Sequence, residues 1–158
     1  MSANSETLLE LIDLYNRYIS VLDREEWDSW PNFFTDDCEY KVQSRENYEK
    51  GLPLSTLWFE SKNMLKDRVY AISQTIFHDP YYQRHIISLP HIISDDNDNI
   101  EVEVNYAVFR TKRDEFSQVY NVGRYLDKIV RTEEGLKFKS KSCIYDSEMI
   151  PNSLIYPI

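Results

Sequence analysis

Apolar residues between Glu6 and Leu22 recur every three or four positions, which is the spacing that places side chains on one buried face of a helix. The recurring residues are Leu8, Leu9, Leu11, Ile12, Tyr15, Ile19 and Leu22. This pattern predicts a first helix over 6–22. Asp23 followed by Glu26 is an Asp-led variant of the capping box, which predicts a second, short helix that begins at Asp23 with its carboxylate as the cap.

Downstream of the second helix the pattern of apolar residues changes twice. Residues 38–42 have the composition of a short strand, whereas 44–53 is polar and contains a Gly and a Pro, which indicates a loop. Apolar residues at helical spacing then return, so we predict a third helix over 61–76.

After Pro80 the apolar period falls from about 3.6 to 2, which is the alternation of a strand with one buried face. Turn-rich segments separate four such runs, which are 83–93, 100–110, 117–131 and 136–147. Links as short as these join only antiparallel neighbours, so the second half is predicted to be a meander. Helices followed by this sheet predict a single α+β domain over 1–158, in which a twisted sheet wraps on the helices.

Composition removes several classes of function. The 18 basic and 27 acidic side chains leave a net charge of −9, which disfavours a nucleic-acid partner. The three glycines are well separated, so a dinucleotide-binding loop, a phosphate-binding loop and a nucleophile elbow are excluded. The acidic start lacks the pattern of a secretory signal, and no run approaches the ~18 apolar residues of a membrane span. We therefore expect a cytoplasmic protein without a membrane partner.

The three histidines, His78, His85 and His91, lie close together in the sequence and raise the question of a metal or acid–base site. In one extended strand His85 and His91 would be about 20 Å apart, too far to share an ion. His78 with Asp79 and one further histidine could imitate a site of two histidines and a carboxylate, but the spacing does not enforce it. Unless Pro90 introduces a bulge, the alternation puts five residues on one side of the strand, namely His85, Ile87, Leu89, His91 and Ile93. That pattern favours hydrogen-bonded histidines on an apolar or interface surface.

Acid–base chemistry is the competing hypothesis for this cluster. A twisted sheet closed by helices can enclose a pocket, in which an inward histidine beside a buried aspartate would have a shifted pKa. Asp23 and His85 are the first pair to test for such a role. The chain would then be a free-standing isomerase or dehydratase, and a third hypothesis is a small-ligand binding module without catalysis.

The two cysteines, Cys38 and Cys143, stand far apart with no secretory or redox spacing, so we expect reduced, packed thiols. A Rieske cluster needs Cys-x-His and a later Cys-x-x-His, because two thiolates hold one iron and two imidazoles the other. Neither cysteine has a histidine at the required offset. Any iron chemistry that this chain serves must therefore be housed on another chain.

Four stretches carry a resemblance to a known family, and they are LYNRYISVLDREEWDSWPNFFTDDCEYKV, ESKNMLKDRVYAI, YYQRHIIS and YNVGRYLDKIVRTEEGLKFKSKSCIYDSEMI. In their order and spacing the chain resembles, over nearly its whole length, the small (beta) subunit of Rieske-type aromatic-ring-hydroxylating oxygenases. Within that family, the resemblance is greatest to the small subunits of salicylate 5-hydroxylases, and it is carried by RENYEKGLPL, NYAVFRT and IYDSEMIPNSLIYPI. Small subunits of anthranilate and other substituted-benzoate oxygenases are the nearest competitors.

The resemblance implies a cone of strongly curved antiparallel sheet with N-terminal helices in its mouth, as in nuclear transport factor two-like and cystatin-like folds. It implies a hexamer of three large and three small subunits, with the small subunits associated as a trimer. The large subunit would hold the Rieske [2Fe–2S] cluster and the mononuclear Fe(II), and the small subunit would carry no catalytic residue, metal or cofactor. Electrons would come from NADH through a reductase and a ferredoxin, and the implied reaction is hydroxylation of salicylate to gentisate.

A noncatalytic subunit in a closed ring has to bury one surface against its own copies and another against the large subunits. Aromatic and arginine side chains are enriched on such surfaces, and this chain has twelve tyrosines, seven phenylalanines and three tryptophans. Within the family-like stretches, the predicted interface residues are Arg68, Arg84, Arg124, Tyr125 and Tyr145.

Overall fold

The computed structural model describes residues 3–150 and 154–158. Helix α1 spans Ala3–Asp23 and is followed by a 3₁₀ helix, Trp27–Phe33. Helix α2 is Arg45–Glu49, and α3 is Lys62–Tyr70, which continues into a π-helical turn over Ala71–Thr75. The strands are β1 (Phe34–Ser44), β2 (Leu57–Phe59), β3 (Tyr81–Ile87), β4 (His91–Asp95), β5 (Asn99–Lys112), β6 (Gln118–Thr132) and β7 (Gly135–Tyr145). None of the helices in these two ranges is long and apolar enough to cross a lipid bilayer.

The described strands form one sheet in the order β2–β1–β7–β6–β5–β3, and β4 also pairs with β5. Strands β5, β6 and β7 are consecutive antiparallel neighbours, so the predicted meander is confirmed. Strand β1 pairs in parallel with β7, which brings the helical first half of the chain against the sheet. The predicted α+β class, with a curved sheet wrapped on N-terminal helices, is therefore confirmed.

Helix α1 packs into the concave side of the sheet through one apolar face, as its spacing predicted. The buried residues of this face are Leu11, Leu14, Tyr15, Tyr18 and Leu22. The rings of Tyr15 and Tyr18 meet Phe138 of β7 edge-on, with centroids 5.6 and 5.3 Å apart. Leu9, which we had placed on the same face, is instead exposed because the helix turns it away from the sheet.

Two local predictions in the first half were wrong, and one strand was missed. The 3₁₀ helix begins at Trp27 after Glu26 and has no side-chain cap, because the Asp23 carboxylate is engaged elsewhere. The predicted loop 44–53 contains helix α2, whose first turn is capped by the Ser44 hydroxyl accepting from the backbone N–H of Asn47. The missed strand β2 is too short to show a period. The third predicted helix is confirmed as α3 with its π-helical turn.

The predicted strand 83–93 is two strands, since the chain leaves the regular pattern at 88–90. Pro90 has no backbone N–H to donate, and it is buried at the break. Before the break the odd-numbered residues such as His85 are buried, whereas after it Ile92 is partly buried and His91 and Ile93 are exposed. The exception named for Pro90 therefore applies: the alternation shifts by one position there, and His91 and Ile93 do not share the buried side of His85.

Gly123 marks the closest approach between β6 and β7. A Cβ atom at this position would lie 1.9 Å from the carbonyl oxygen of Ile144, which belongs to the backbone and cannot turn away. Only glycine lets the two strands pair in this register.

We predict that Gly123→Ala lowers the free energy of unfolding by about 3 kcal/mol, because the strands must separate to relieve the overlap. Gly51→Ala is the matched control, since Gly51 has a φ of +64° but nothing within 4 Å of an added Cβ. Its backbone strain alone should cost about 1 kcal/mol. Urea denaturation of both variants measures the difference, and equal losses would contradict the steric explanation.

Candidate functional site

Asp23 and His85 form a buried pair between the end of α1 and the edge strand β3. Asp23 Oδ1 lies 2.6 Å from His85 Nδ1, and Asp23 Oδ2 accepts the backbone N–H of His85 at 2.9 Å. The His85 side chain is fully buried and that of Asp23 is 6% exposed. The carboxylate thus orients the imidazole. It also accepts a hydrogen bond from a backbone N–H that would otherwise be unpaired at the open edge of the sheet. The two residues that sequence reasoning proposed as a pair are therefore in contact.

The second nitrogen of His85 is enclosed by protein. His85 Nε2 is buried and has no hydrogen-bond partner among the described residues. An open cavity of about 500 Å³ lies beside α1, but Arg17, Phe33 and Lys137 are among the residues that line it, and neither Asp23 nor His85 does. Because burial separates Nε2 from solvent, the pair serves in this conformation to fasten α1 to the sheet edge.

The centre of the cone holds a fully buried ion pair. Lys141 Nζ of β7 lies 2.9 Å from Asp127 Oδ2 of β6, and both side chains are 0% exposed. The Tyr15 hydroxyl of α1 donates to the same carboxylate oxygen. One carboxylate therefore joins a helix and two strands at a single point inside the molecule.

Aromatic rings surround the ammonium group of Lys141. Its Nζ atom lies within cation–π distance of four ring centroids, at 3.5 Å from Tyr125, 4.5 Å from Phe138, 4.7 Å from Tyr18 and 5.1 Å from Tyr15. Ring faces carry negative partial charge, so they replace part of the hydration that a buried ammonium group has lost. These rings fill the space in which a cone-shaped fold could otherwise enclose a ligand.

Burial changes the protonation behaviour of this network. It raises the pKa of the Asp127 carboxyl, while Lys141 and the Tyr15 hydroxyl act to lower it. Burial also raises the pKa of Tyr15 well above its ordinary value, and the neighbouring Asp127 raises it further. Tyr15 therefore stays a neutral hydrogen-bond donor across the physiological pH range.

The three histidines do not converge. His78 Nε2 lies 2.7 Å from the Tyr156 hydroxyl, His85 contacts Asp23, and His91 is exposed at the start of β4. Within residues 3–150 and 154–158, no three His, Cys, Asp or Glu side chains are grouped closely enough to hold a metal ion. The two cysteines are free and buried, as predicted, and burial raises the pKa of Cys38 to about 11 and of Cys143 to about 12. Protonated thiols are poor metal ligands.

Three of the predicted interface residues are used within the chain. The Arg68 guanidinium donates to the carbonyl oxygens of Leu154 and Ile155, both at 2.8 Å. Tyr125 is 0% exposed and Tyr145 is 6% exposed, so both pack in the core of the protomer. Tyr125 and Tyr145 therefore contribute little exposed surface in this conformation.

Arg84 and Arg124 lie on the outer face of the sheet and are accessible. The Arg84 side chain is 73% exposed, and that of Arg124 is 36% exposed with Glu103 at 3.5 Å. Between them lies a group of exposed aliphatic side chains that we call the outer patch, namely Ile86, Val119 and Val122. Ile86 and Val122 stand in register on either side of Ala107 across β3, β5 and β6.

Comparison with known proteins assigns this arrangement to a family. Residues 17–152 match the family described as ring hydroxylating beta subunit. The chain belongs to this family. The beta subunit is thus part of an aromatic-ring-hydroxylating oxygenase. It is 35% identical to the anthranilate 1,2-dioxygenase small subunit of Burkholderia cepacia over 158 residues, which cover 100% of this chain and 98% of that protein.

One further relative is similar in sequence, and a solved structure is similar in sequence and fold. Subunit beta 1 of the terminal oxygenase component of terephthalate 1,2-dioxygenase from Comamonas sp is 29% identical over 141 residues, covering 89% of this chain and 92% of that one. A crystal structure of a beta subunit assigned to an aromatic-ring-hydroxylating dioxygenase of Novosphingobium aromaticivorans superposes with a TM-score of 0.91 at 33% identity. The superposition covers 99% of this chain and 100% of that chain, so the likeness extends over the complete fold.

Sequence reasoning missed the buried pair at the centre of the beta subunit. Asp127 alternates with Tyr125 and Ile129 on the inward side of β6, and Lys141 alternates with Cys143 on the inward side of β7. The period of two could have placed both charges inside. An inward acidic residue on one strand and an inward basic residue on the next indicate a buried ion pair. We assigned no role to either residue from the sequence.

We predict that Lys141→Met lowers the free energy of unfolding at pH 7 by about 3–5 kcal/mol, because it leaves the Asp127 carboxylate buried without its cationic partner. A carboxyl whose pKa is raised by folding favours the native state only while protonated, so stability falls as pH rises above the unfolded pKa of about 4. The deficit should therefore be smaller at pH 5 than at pH 7.

Urea denaturation of the wild type and the variant at both pH values measures this deficit. Lys128→Met is the matched control, since Lys128 lies on the outward side of the same hairpin and its side chain is 66% exposed. A deficit that is independent of pH, or no larger than that of the control, would contradict the role given to the pair.

Proposed function

We propose that this beta subunit is noncatalytic and that it supports a large subunit which carries the Rieske [2Fe–2S] cluster and the mononuclear Fe(II). The observation that supports this most is the filled interior of the cone, where Tyr15, Asp127 and Lys141 occupy the centre with the surrounding rings. A pocket enzyme of this shape needs that space for its substrate. The subunit would instead contribute a rigid body with surfaces for its neighbours.

For the ring substrate of the assembled oxygenase we propose a benzoate with a polar ortho substituent. Resemblance in the sequence pointed to salicylate, hydroxylated to gentisate, and the 35% identical relative is named for anthranilate. These two compounds share the benzoate ring and differ only in the ortho group. We further propose a cytoplasmic complex of three large and three small subunits that receives electrons from NADH through a reductase and a ferredoxin.

For the contact with neighbouring subunits we propose the outer patch and its two arginines. Exposed aliphatic side chains flanked by arginine have the composition of an interface core with a polar rim. Arg84 and Arg124 are therefore the two sequence-predicted residues that we retain as accessible interface residues. Arg68 and Tyr145 would act indirectly, by holding the segments that they contact inside the protomer.

The alternative function, an isomerase or dehydratase, is favoured by one observation, which is the contact between Asp23 and His85. The pair has the composition of an acid–base dyad, but its imidazole is fully buried in this conformation. Turnover by the isolated chain separates this alternative from the subunit hypothesis.

We expect the beta subunit expressed alone to contain no iron and to convert no aromatic acid. Coexpression with its large subunit should yield a complex that hydroxylates salicylate or anthranilate with NADH and the electron-transfer proteins. Asp23→Asn should leave the activity of that complex within about twofold, because its effect is on stability through a hydrogen bond worth about 1 kcal/mol. Iron analysis and product chromatography measure these outcomes. Turnover by the isolated chain that Asp23→Asn abolishes would establish the alternative.

We also expect Arg84→Glu and Arg124→Glu to weaken assembly with the large subunit by at least tenfold, since a reversed charge at an interface rim repels the surface that it matched. Arg17→Glu is the control, because Arg17 is exposed on α1, on the other side of the sheet. Sedimentation of mixed subunits at several salt concentrations measures assembly. If the three variants assemble equally well, the outer patch is not the contact surface.

A further inference from the structure

A small aromatic cluster stands apart from the main core, near the mouth of the cone. Its buried members are Ile72, Tyr81 and Tyr156, and Trp27 and Ile155 pack against it. Tyr156 belongs to the segment Leu154–Ile158, which we call the strap. The Asp23–His85 pair, the Lys141–Asp127 pair and the outer patch use none of these five residues.

The Tyr156 side chain is held as a bound phenol would be held. Its ring lies between Trp27, at 4.7 Å between centroids and 31° between planes, and Tyr81, at 4.5 Å and 37°. Its hydroxyl lies 2.7 Å from His78 Nε2. His78 Nδ1 lies 3.5 Å from the carbonyl oxygen of Ile76, which favours the tautomer with the proton on Nδ1 and leaves Nε2 as the acceptor. Two ring faces and one acceptor thus recognise the two parts of a phenol.

The strap is attached by side chains rather than by strand pairing. Gln83 donates to the carbonyl oxygen of Pro157 at 3.1 Å, and Tyr40 donates to that of Ile158 at 3.0 Å. No backbone-to-backbone hydrogen bond joins the strap to the rest of the chain as far as the structure describes it. The backbone of the strap is thus held by side chains, as that of a bound peptide would be, while Leu154 and Ile158 are buried in the main core.

The surroundings of this site favour a neutral ring over an anionic one. An open cavity of about 320 Å³ borders Trp27 and is lined by Glu25, Glu26 and Asp28 as well. Burial, together with the charge of Glu25, raises the pKa of the Tyr156 phenol to about 12, so the hydroxyl keeps its proton. Acidic neighbours repel a carboxylate, whereas they leave a phenol unaffected.

We propose that Trp27, His78 and Tyr81 form a binding site for a phenolic ring, and that the chain's own Tyr156 occupies this site in the structure. Ring hydroxylation produces hydroxylated rings, so ligands of this class arise wherever such an oxygenase works. A free phenol competes with a side chain that is already tethered, which gives Tyr156 a high effective concentration. The site is therefore closed in the wild type and opens when Tyr156 is removed.

Chemical rescue tests the proposal in the full-length chain. Tyr156→Ala creates the space of one phenol side chain, which p-cresol matches in shape and in its hydroxyl. At tenfold above its dissociation constant p-cresol should raise the melting temperature of this variant by about 3 °C and leave the wild type unchanged. Toluene, which lacks the hydroxyl, and benzoate, which is anionic, should each give less than half of that shift.

Two controls make the rescue specific to this site. Tyr82→Ala removes a tyrosine of the neighbouring strand that is 73% exposed, and p-cresol should give it no shift. In Tyr156→Ala that also carries His78→Ala, the advantage of p-cresol over toluene should disappear. Equal shifts from p-cresol and toluene in Tyr156→Ala, or an advantage that survives loss of His78, would overturn the proposal. If Tyr156→Ala is unfolded alone, recovery of a cooperative transition with p-cresol becomes the readout, and no recovery overturns the proposal equally.

A second measurement avoids the risk of misfolding. Tyr156→Phe keeps the ring and removes only the hydroxyl, whereas His78→Ala removes the acceptor together with an imidazole ring that meets the Tyr156 ring edge-on, at 5.1 Å between centroids. Because both variants lose the same hydrogen bond, each should lower the melting temperature by about 2–4 °C, and the double variant by no more than the larger single loss. Fully additive losses would show that His78 does not recognise the phenol. Neither result bears on whether the beta subunit assembles with a large subunit.

Discussion

The buried pair of Lys141 and Asp127 is the interaction on which the interior of this cone depends. The two residues stand directly opposite each other on β7 and β6, so the pair forms only in one strand register. Removing both charges from water is costly and is offset only when their surroundings are complete. Tyr15 must therefore reach Asp127 from α1, and the rings must surround the ammonium group. Helix position, strand register and core filling are coupled through this one contact.

The order of elements could be predicted from the sequence because periodicity is a local property, and α1, α3 and the meander appeared where the periods changed. Features that depend on contacts between distant residues could not be predicted in this way. Asp23 matches a cap in sequence, yet its carboxylate has a stronger use at His85, where it satisfies two donors at once. The inward side of the chain changes at Pro90, a change that the sequence raised as an alternative but that periodicity alone could not decide. The central pair joins strands separated by a turn, so its partners become visible only when both inward faces are compared.

An interior closed by the chain's own side chains leaves the surface as the place of function. Several polar side chains of the beta subunit hold its own elements together. Asp23 joins α1 to the sheet edge, and Arg68 binds the strap. The exposed aliphatic residues and two arginines of the outer face are the surface that we propose for a neighbouring subunit. This division explains why a fold with the shape of a pocket enzyme can serve as a scaffold within an oxygenase.

A crystal structure of the complete oxygenase soaked with salicylate or anthranilate tests this account most directly. The account predicts that Tyr15, Asp127 and Lys141 still fill each small-subunit cone, and that substrate and iron appear only in the large subunits. Density for substrate beside His85, or for a metal ion bound entirely by side chains of this chain, would contradict it.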